Sequence, residues 1–236
     1  MIAYEPQIAY RGKCCGAVIV AAGSASRMEG IDKALAILGG EPVIVQTVKA
    51  FQNCSAIEEI VIVTRPDLLG KIAELMEVFP KVKAVVVGGA DRTQSVLCGL
   101  QALSDKVQMA AIHDGARPLI TTKMITETVS AADFHGAAAP AIPVKDTIKN
   151  VQNHWVYGTP DRSSLRAVQT PQVFYLPDLL TALRNGIAQG ATFTDDCSAL
   201  ERMGIPVYLV DGQESNIKIT TPMDLKVAQL LWEERQ

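Results

Sequence analysis

AVIVAAGSASRMEGIDK, residues 17–33, is the stretch from which the fold of this chain is predicted. Val18, Ile19 and Val20 follow one another without an intervening polar residue, as in a strand buried on both faces of a parallel sheet. The apolar run breaks at Gly23, so the following loop lies at the carboxyl end of the strand. Open α/β sheets bind ligands beyond that end. The stretch therefore predicts a parallel α/β sheet with a ligand-binding loop after its first strand.

The loop has the composition of an anion-binding site. Residues 23–26 (GSAS) are small, so their backbone N–H groups can approach an anion closely, and Arg27 and Lys33 add positive charge. These features favour a tri- or pyrophosphate. However, the loop contains neither the G-x-G-x-x-G of dinucleotide-binding folds nor the G-K-[ST] of P-loops. Taken alone, it is better explained as a tight connection with two solvated cations.

Composition limits the classes of protein to be considered. The 236 residues are 48% hydrophobic and 20% charged, which fits a single α/β domain over residues 1–236. A net charge of −3 and 5% aromatic residues argue against a nucleic-acid partner. Five cysteines, an odd number without C-x-x-C spacing, predict reduced thiols in a cytoplasmic protein. No apolar run approaches the roughly 20 residues that span a bilayer, so no membrane partner is expected.

Downstream, short apolar runs alternate with segments of helical periodicity. Strands are predicted at residues 57–64, 82–87, 109–113, 136–142 and 206–210, and helices at 42–51, 66–78, 93–103, 121–134, 176–189, 194–204 and 221–232. Strands that alternate with helices form right-handed βαβ units. The expected architecture is a doubly wound, mostly parallel sheet.

Two further strand ends carry polar residues. After the third strand, a glycine pair precedes Arg92, Gln94 and Ser95 at a helix start, where a bound anion and ordinary capping by Asp91 or Thr93 are equally good explanations.

The fourth strand ends at His113 and Asp114. A carboxylate at that place either forms a turn pair with Arg117 or, if a nucleoside triphosphate binds there, holds its Mg²⁺. His113 is expected to make a structural hydrogen bond rather than to act as a base.

Residues 143–174 interrupt the alternation of strands and helices. The segment is polar and turn-rich, with alternating apolar residues that suggest a protruding β-arm over residues 143–170. A pair of strands without a covering helix is marginally stable alone, so we expect the arm to pack on a second copy of the chain in a homodimer. Lys218 follows this region just before a predicted capping box at Thr221 and Asp224, and alone it would be a surface lysine on a short strand.

Seven stretches, in this order, resemble the signature of the cytidylyltransferase family of the non-mevalonate isoprenoid pathway: AAGSASRM with Lys33, GGADRTQSV, HDGARP, PVKDTIK, DRSSLRAVQTPQVF, TDDCSALE and NIKIT. The resemblance implies a Rossmann-like nucleotidyltransferase fold, Mg²⁺ as cofactor, and a homodimer whose β-arm reaches the partner's active site. It implies transfer of a cytidylyl group from CTP to 2-C-methyl-D-erythritol 4-phosphate, a sugar-alcohol phosphate. Transfer to ribitol 5-phosphate and a non-catalytic nucleotide-binding protein are the alternatives.

The resemblance also implies roles for particular residues. Contacts to the cytidine would come from Ala21, Ala22, Gly23, Gly89 and Ser95. The catalytic cations on the triphosphate would be Arg27, Lys33 and Lys218. Asp114, as the metal ligand, and Arg117 would lie between metal, ribose and acceptor. The acceptor would contact Thr147 and Arg162 from the neighbouring arm, with Thr170 close to them.

The chain departs from the family pattern at two positions. Ala25 stands where the family usually has a second glycine, and Ala90 where many members have an acidic residue. Ala90 removes one possible hydrogen bond to the nucleotide. Both departures permit the non-catalytic alternative, whereas the retained Arg27, Lys33, Asp114 and Lys218 argue against it.

Overall fold

The computed structural model describes residues 12–23 and 32–235, which fold around a central β-sheet. The strands are β1 (Cys15–Val20), β2 (Ile37–Leu38), β3 (Glu41–Pro42), β4 (Glu59–Thr64), β5 (Val82–Val87), β6 (Met109–Asp114), β7 (Ala137–Pro143), β8 (Asn150–Gln152), β9 (Trp155–Gly158), β10 (Arg166–Val168), β11 (Gln172–Tyr175) and β12 (Tyr208–Asp211). The helices are α1 (Val43–Gln52), α2 (Leu69–Met76), α3 (Arg92–Gln101), α4 (Thr122–His135), α5 (Leu176–Ala188), α6 (Cys197–Arg202) and α7 (Pro222–Glu233).

The main sheet has the order β5-β4-β1-β6-β11-β7-β12, and β10 also pairs with β7. Strands β5, β4, β1 and β6 run parallel to one another, and β12 runs parallel to β7. Strand β11 lies between β6 and β7 and is antiparallel to both. The order reverses direction at β1, so the prediction of a doubly wound, mostly parallel sheet is confirmed.

Helices cover both faces of the sheet, which explains the uninterrupted apolar run in β1. Ala17 and Ile19 belong to the buried cluster formed with α1, α2 and α4. Val18 belongs to the cluster on the other face, with α3, α5 and α6. Because successive side chains of a strand point to opposite faces, every residue of the run must be apolar. Burial of each large side chain stabilises the fold by about 1.5–3 kcal/mol.

The structure corrects the prediction at four places. Residues 172–174, which the sequence places in the turn-rich segment 143–174, belong to the sheet strand β11, and Phe174 is fully buried. The helix expected at 66–78 begins with a 3-10 turn, Pro66–Leu68, before α2. Lys218 lies on a loop rather than on a strand, and the next residue, Ile219, donates its N–H to the Ala116 carbonyl. Helix α6 has Asp196 rather than Thr194 at its N-cap position, and Asp195 Oδ1 accepts from Ser198 N at 3.0 Å.

Part of the predicted arm, residues 150–158, is a separate hairpin, whereas residues 166–168 form β10, which pairs with β7 of the main sheet. Strands β8 and β9 pair with each other in a two-stranded antiparallel sheet of their own. The large apolar side chains of the hairpin, Val151, Trp155, Val156 and Tyr157, are exposed. Within the described parts of the chain, no helix is both long and apolar enough to cross a bilayer.

Candidate active site

The carboxyl ends of β1, β4 and β6 open into a cavity of about 380 Å³. All five residues expected to contact a cytidine line it: Ala21, Ala22, Gly23, Gly89 and Ser95. The predicted cations Lys33 and Lys218 line it as well, together with Asp114. Arg27 and the small loop residues 24–26 lie outside the described residues. The sheet therefore brings together, at one edge, side chains from the beginning, middle and end of the sequence.

The wall after β5 is built from small residues for a steric reason. A Cβ atom on Gly88 would lie 2.6 Å from Ser95 Oγ and 2.7 Å from Ala22 Cβ. A Cβ atom on Gly89 would lie 2.3 Å from Gln94 Cβ. Both glycines are therefore needed for the turn to pack against the start of α3.

The start of α3 is held by capping, so one of the two explanations left open by the sequence is confirmed. Asp91 Oδ1 accepts a hydrogen bond from Gln94 N at 2.8 Å, and Ser95 Oγ donates to the Asp91 carbonyl at 2.8 Å. Gln94 Oε1 accepts from Ala90 N at 3.1 Å. Capping does not explain Arg92, whose side chain lines the cavity.

Asp114 is the charged centre of the site. Its Oδ2 accepts from Lys218 Nζ at 2.9 Å and from Arg117 Nε at 3.2 Å, so the turn pair considered from the sequence is present. Burial alone would raise the pKa of Asp114, but Lys218 and Arg117 together lower it to about 2. The carboxylate is therefore ionised at neutral pH and is held between two cations.

A buried amide fixes the loop that carries Lys218. Asn216 is fully buried, and its Nδ2 donates to the Thr170 carbonyl at 3.0 Å and to Gln169 Oε1 at 3.3 Å. The carbonyl of Asn216 accepts from Arg117 Nη1 at 2.7 Å. Asn216 thus connects the Lys218 loop to Arg117 and to the chain segment between β10 and β11.

His113 has the structural role that was expected of it. The side chain is fully buried, with Nδ1 3.0 Å from Thr170 Oγ1 and Nε2 3.3 Å from the Arg117 carbonyl. Since a carbonyl only accepts, the proton is assigned to Nε2, and the Thr170 hydroxyl donates to Nδ1. Burial lowers the pKa of His113 to about 3, so the ring is neutral. It orients Thr170, whose Oγ1 accepts from Asp114 N at 3.2 Å.

A second cavity, of about 140 Å³, adjoins the first. The two cavities share Arg92, Asp114 and Lys218, and the second is also lined by Arg117 and Thr170. Asp114, Arg117 and Thr170, three of the residues predicted to contact an acceptor, therefore all line the second cavity, beside the first. The other two, Thr147 and Arg162, line neither cavity and are exposed on the arm.

Sequence reasoning missed two carboxylates that shape the site. Arg92 makes a bidentate pair with the buried Asp196, at 2.9 and 2.7 Å. Burial alone would lower the pKa of Arg92, but Asp196 raises it overall. Asp195, which lines the second cavity, accepts from Gln172 Nε2 at 2.9 Å. The available signal is the TDD run before a short helix, which by itself indicates only helix capping.

Sequence reasoning also missed Arg65, which follows β4 and lines the first cavity. Its Nη2 lies 2.7 Å from Asp32 Oδ2. Nothing in the spacing of these two residues indicates that they pair.

The site fits a magnesium ion that is held mainly by a substrate. Within residues 12–23 and 32–235, no three His, Cys, Asp or Glu side chains form a cluster able to hold a metal. Mg²⁺ commonly binds through one or two carboxylates together with substrate phosphates and water. Both ion pairs of Asp114 use Oδ2, which leaves Oδ1 as the oxygen best placed to act as a ligand.

Comparison with known proteins gives one consistent result. The family model described as IspD, 2-C-methyl-D-erythritol 4-phosphate cytidylyltransferase, matches residues 15–234. The enzyme of that name from Symbiobacterium thermophilum is 45% identical over 219 residues, covering 92% of each chain. The Caldanaerobacter subterraneus enzyme is 43% identical, covering 91% of this chain and 96% of its own.

Solved structures agree with the sequence relatives. The crystal structure of 4-diphosphocytidyl-2C-methyl-D-erythritol synthase from Anaerococcus prevotii superposes with a TM-score of 0.85 at 30% identity, covering 94% of this chain and 97% of that one. The Francisella tularensis 2-C-methyl-D-erythritol 4-phosphate cytidylyltransferase has a TM-score of 0.79 at 27% identity, covering 92% and 99%.

Proposed function

The chain belongs to the 2-C-methyl-D-erythritol 4-phosphate cytidylyltransferase family, and from this premise we propose which of its residues carry out the reaction. The reaction transfers the cytidylyl group of CTP to 2-C-methyl-D-erythritol 4-phosphate and yields 4-diphosphocytidyl-2-C-methyl-D-erythritol and pyrophosphate. The predicted function is thereby confirmed over both alternatives, which were transfer to ribitol 5-phosphate and nucleotide binding without catalysis. The chain is a CTP-dependent nucleotidyltransferase.

We assign the larger cavity to CTP and the smaller cavity to the acceptor. Small residues at Gly23 and Gly89 leave room for the nucleoside, and Lys33 and Lys218 supply positive charge for the triphosphate. The observation that carries this assignment is Asp114, which lines both cavities and is paired with Lys218 and Arg117. One charged group thus lies where the two substrates must meet.

The chemistry needs positioning and charge neutralisation rather than a nucleophilic side chain. A phosphate oxygen of the acceptor attacks the α-phosphorus of CTP, a new P–O bond forms, and the bond to the leaving pyrophosphate breaks. Both reactants are anions, so cations that are fixed before the reaction lower the barrier. Lys33, Lys218 and Arg117 would do this work here, and Arg27 would join them as the sequence predicts.

Asp114 would hold the magnesium ion. When bound, Mg²⁺ would neutralise charge on the triphosphate and on the departing pyrophosphate. The lowered pKa of Asp114 keeps its carboxylate ionised, as a magnesium ligand must be.

The arm is proposed to complete the acceptor site of a second copy in a homodimer. Thr147 and Arg162, to which the family resemblance gives contacts with the acceptor phosphate, line neither cavity of their own chain. The hairpin also exposes Trp155 and Tyr157, with relative exposures of 79% and 69%. Large exposed apolar groups are typical of an interaction surface.

Replacement of the two lysines tests the assignment of the larger cavity. We expect Lys33→Ala and Lys218→Ala each to lower kcat by on the order of 10²–10³, the usual cost of removing one donor to the developing charge. The measurement is pyrophosphate release from CTP, Mg²⁺ and the acceptor. Lys123→Ala, which removes a lysine with a 77% exposed side chain on α4, is the matched control. Near wild-type turnover in both lysine variants would contradict the assignment.

A further inference from the structure

One guanidinium group, that of Arg65, holds both chain segments that flank residues 24–31. Its Nη2 donates to Asp32 Oδ2 at 2.7 Å, and its Nη1 lies 3.4 Å from the Gly23 carbonyl oxygen. The Asp67 carboxylate accepts from the same guanidinium, Oδ1 from Nε and Oδ2 from Nη2, each at 3.1 Å. We call the contacts of Arg65 with Gly23 and Asp32 the Arg65 clasp.

Asp32 connects Arg65 to the backbone around Lys33. The other carboxylate oxygen of Asp32, Oδ1, accepts from Ala34 N at 2.8 Å. The Asp32 carbonyl accepts from Ala36 N at 2.8 Å and from Leu35 N at 3.1 Å. The backbone on both sides of Lys33 is therefore fixed by the residue that Arg65 binds.

Gly23, at the other side of the clasp, lies directly against Lys33. A Cβ atom built on Gly23 would be 3.2 Å from Lys33 Nζ. The ammonium group therefore sits over the backbone that the Arg65 guanidinium contacts. Moving either Gly23 or Asp32 would move the lysine relative to the cavity.

The charges around Arg65 suit a positioning role better than direct contact with phosphate. The guanidinium faces two carboxylates, and the side chains of Arg65 and Asp32 are only 24% and 18% exposed. The Asp67 side chain is 65% exposed, so its pair with Arg65 contributes little. A planar fork of donors can hold a carboxylate and a carbonyl at once, which a lysine ammonium does less well.

We propose that Arg65 is a positioning residue for CTP binding, which holds Lys33 at the triphosphate end of the larger cavity through Asp32 and Gly23. The proposal rests on the assignment of that cavity to CTP. It adds Arg65 to the CTP site as a residue that does not itself bind phosphate, because Asp32 and Asp67 neutralise its charge.

A double-mutant cycle on Arg65 and Asp32 tests the proposal. We expect Arg65→Ala and Asp32→Ala each to raise the KM and the Kd for CTP about tenfold, and the double variant to be no worse than the weaker-binding single variant, because coupled residues are not additive. The KM for the acceptor should stay within about twofold of wild type in all of them. Arg65→Lys should recover part of the CTP affinity.

Lys49→Ala is the matched control, because it also breaks a partly buried pair with a carboxylate, Glu41, that lines neither cavity. It should leave the Kd for CTP unchanged. Three results would overturn the proposal. They are an unchanged Kd for CTP in Arg65→Ala, additive effects of the Arg65 and Asp32 substitutions on that Kd, and an equal rise in the KM values for CTP and for the acceptor. If Lys33→Ala has no effect either, the assignment of the cavity fails; if Lys33→Ala is impaired and Arg65→Ala is not, only the clasp fails.

Discussion

At the scale of single residues, the buried neutral histidine beside the site makes stability depend on pH. His113 has a pKa of about 3 in the folded chain, whereas an unfolded histidine titrates near 6.5. As the pH falls below 6.5, the unfolded state gains a proton that the folded state does not, so the folded state loses stability. The loss should reach about 2 kcal/mol between pH 7 and pH 5. Urea denaturation at pH 7, 6 and 5 measures it.

The variant His113→Gln separates this effect from other titrations. It should be less stable at pH 7 but should lose less free energy of unfolding between pH 7 and pH 5 than the wild type. Asp114 does not interfere, because its pKa is lowered to about 2 and its stabilisation is lost only below its ordinary value of 3.8. Equal losses in the two proteins would show that His113 is not the responsible group.

Single residues also show where sequence reasoning succeeds and where it stops. Asp114 and Arg117 can be identified as partners because they are three positions apart at the end of a buried strand. Asp196 and Arg92 cannot, since 104 positions separate them and only the folded chain brings them together. Lys218 has the features of an ordinary surface lysine until its motif is placed beside the others.

At the scale of elements, α3 packs unusually close to the sheet. A Cβ atom on Gly99, within this helix, would lie 2.3 Å from Val18 Cγ1 and 2.7 Å from Val63 Cγ2. We expect Gly99→Ala to lower the free energy of unfolding by about 1–3 kcal/mol through overpacking. A Cβ atom on Gly70 of α2 would meet no heavy atom within 4 Å, so Gly70→Ala should instead stabilise by about 0.5 kcal/mol. Thermal or urea unfolding of the two variants checks the opposite signs.

The same pair of substitutions has a consequence at the site. Helix α3 carries Arg92 and Ser95 into the cavity, so a displaced α3 should raise the KM for CTP in Gly99→Ala and leave it unchanged in Gly70→Ala. Stability and KM that are unaffected in Gly99→Ala would contradict the close packing.

The elements that are predicted well are those with a strong local pattern. Strand β5 has the bounds expected from the sequence, and α1 differs from its expected bounds by one residue at each end. Strand β11 escapes prediction because it has only four residues, directly follows a turn-rich segment and begins with the polar Gln172. Gln172 is buried only because its Oε1 accepts from Asp196 N and its Nε2 reaches Asp195, and neither contact is visible in a local pattern.

At the scale of the whole molecule, the chain is acidic overall but gathers cations at one edge of the sheet. The net charge is −3, yet Lys33, Arg65, Arg92 and Lys218 all line the larger cavity. Three of them, Arg65, Arg92 and Lys218, are paired with carboxylates. The carboxylates that hold Arg65 and Arg92, Asp32 and Asp196, line neither cavity, whereas Asp114, which holds Lys218, lines both. The fold thus separates two cations held from outside the cavities from one held where the cavities meet.

The proposed homodimer makes a prediction that distinguishes action of the arm on its own chain from action on its partner. Arg162→Ala and Lys218→Ala should each be nearly inactive alone. After co-refolding in equal amounts, half of the dimers are mixed. In each mixed dimer, one site combines the intact Lys218 of one chain with the intact Arg162 of the other. Pyrophosphate release should therefore return to about a quarter of the wild-type rate. If each arm served its own chain, both sites of a mixed dimer would lack one group, and the mixture would stay as inactive as its components.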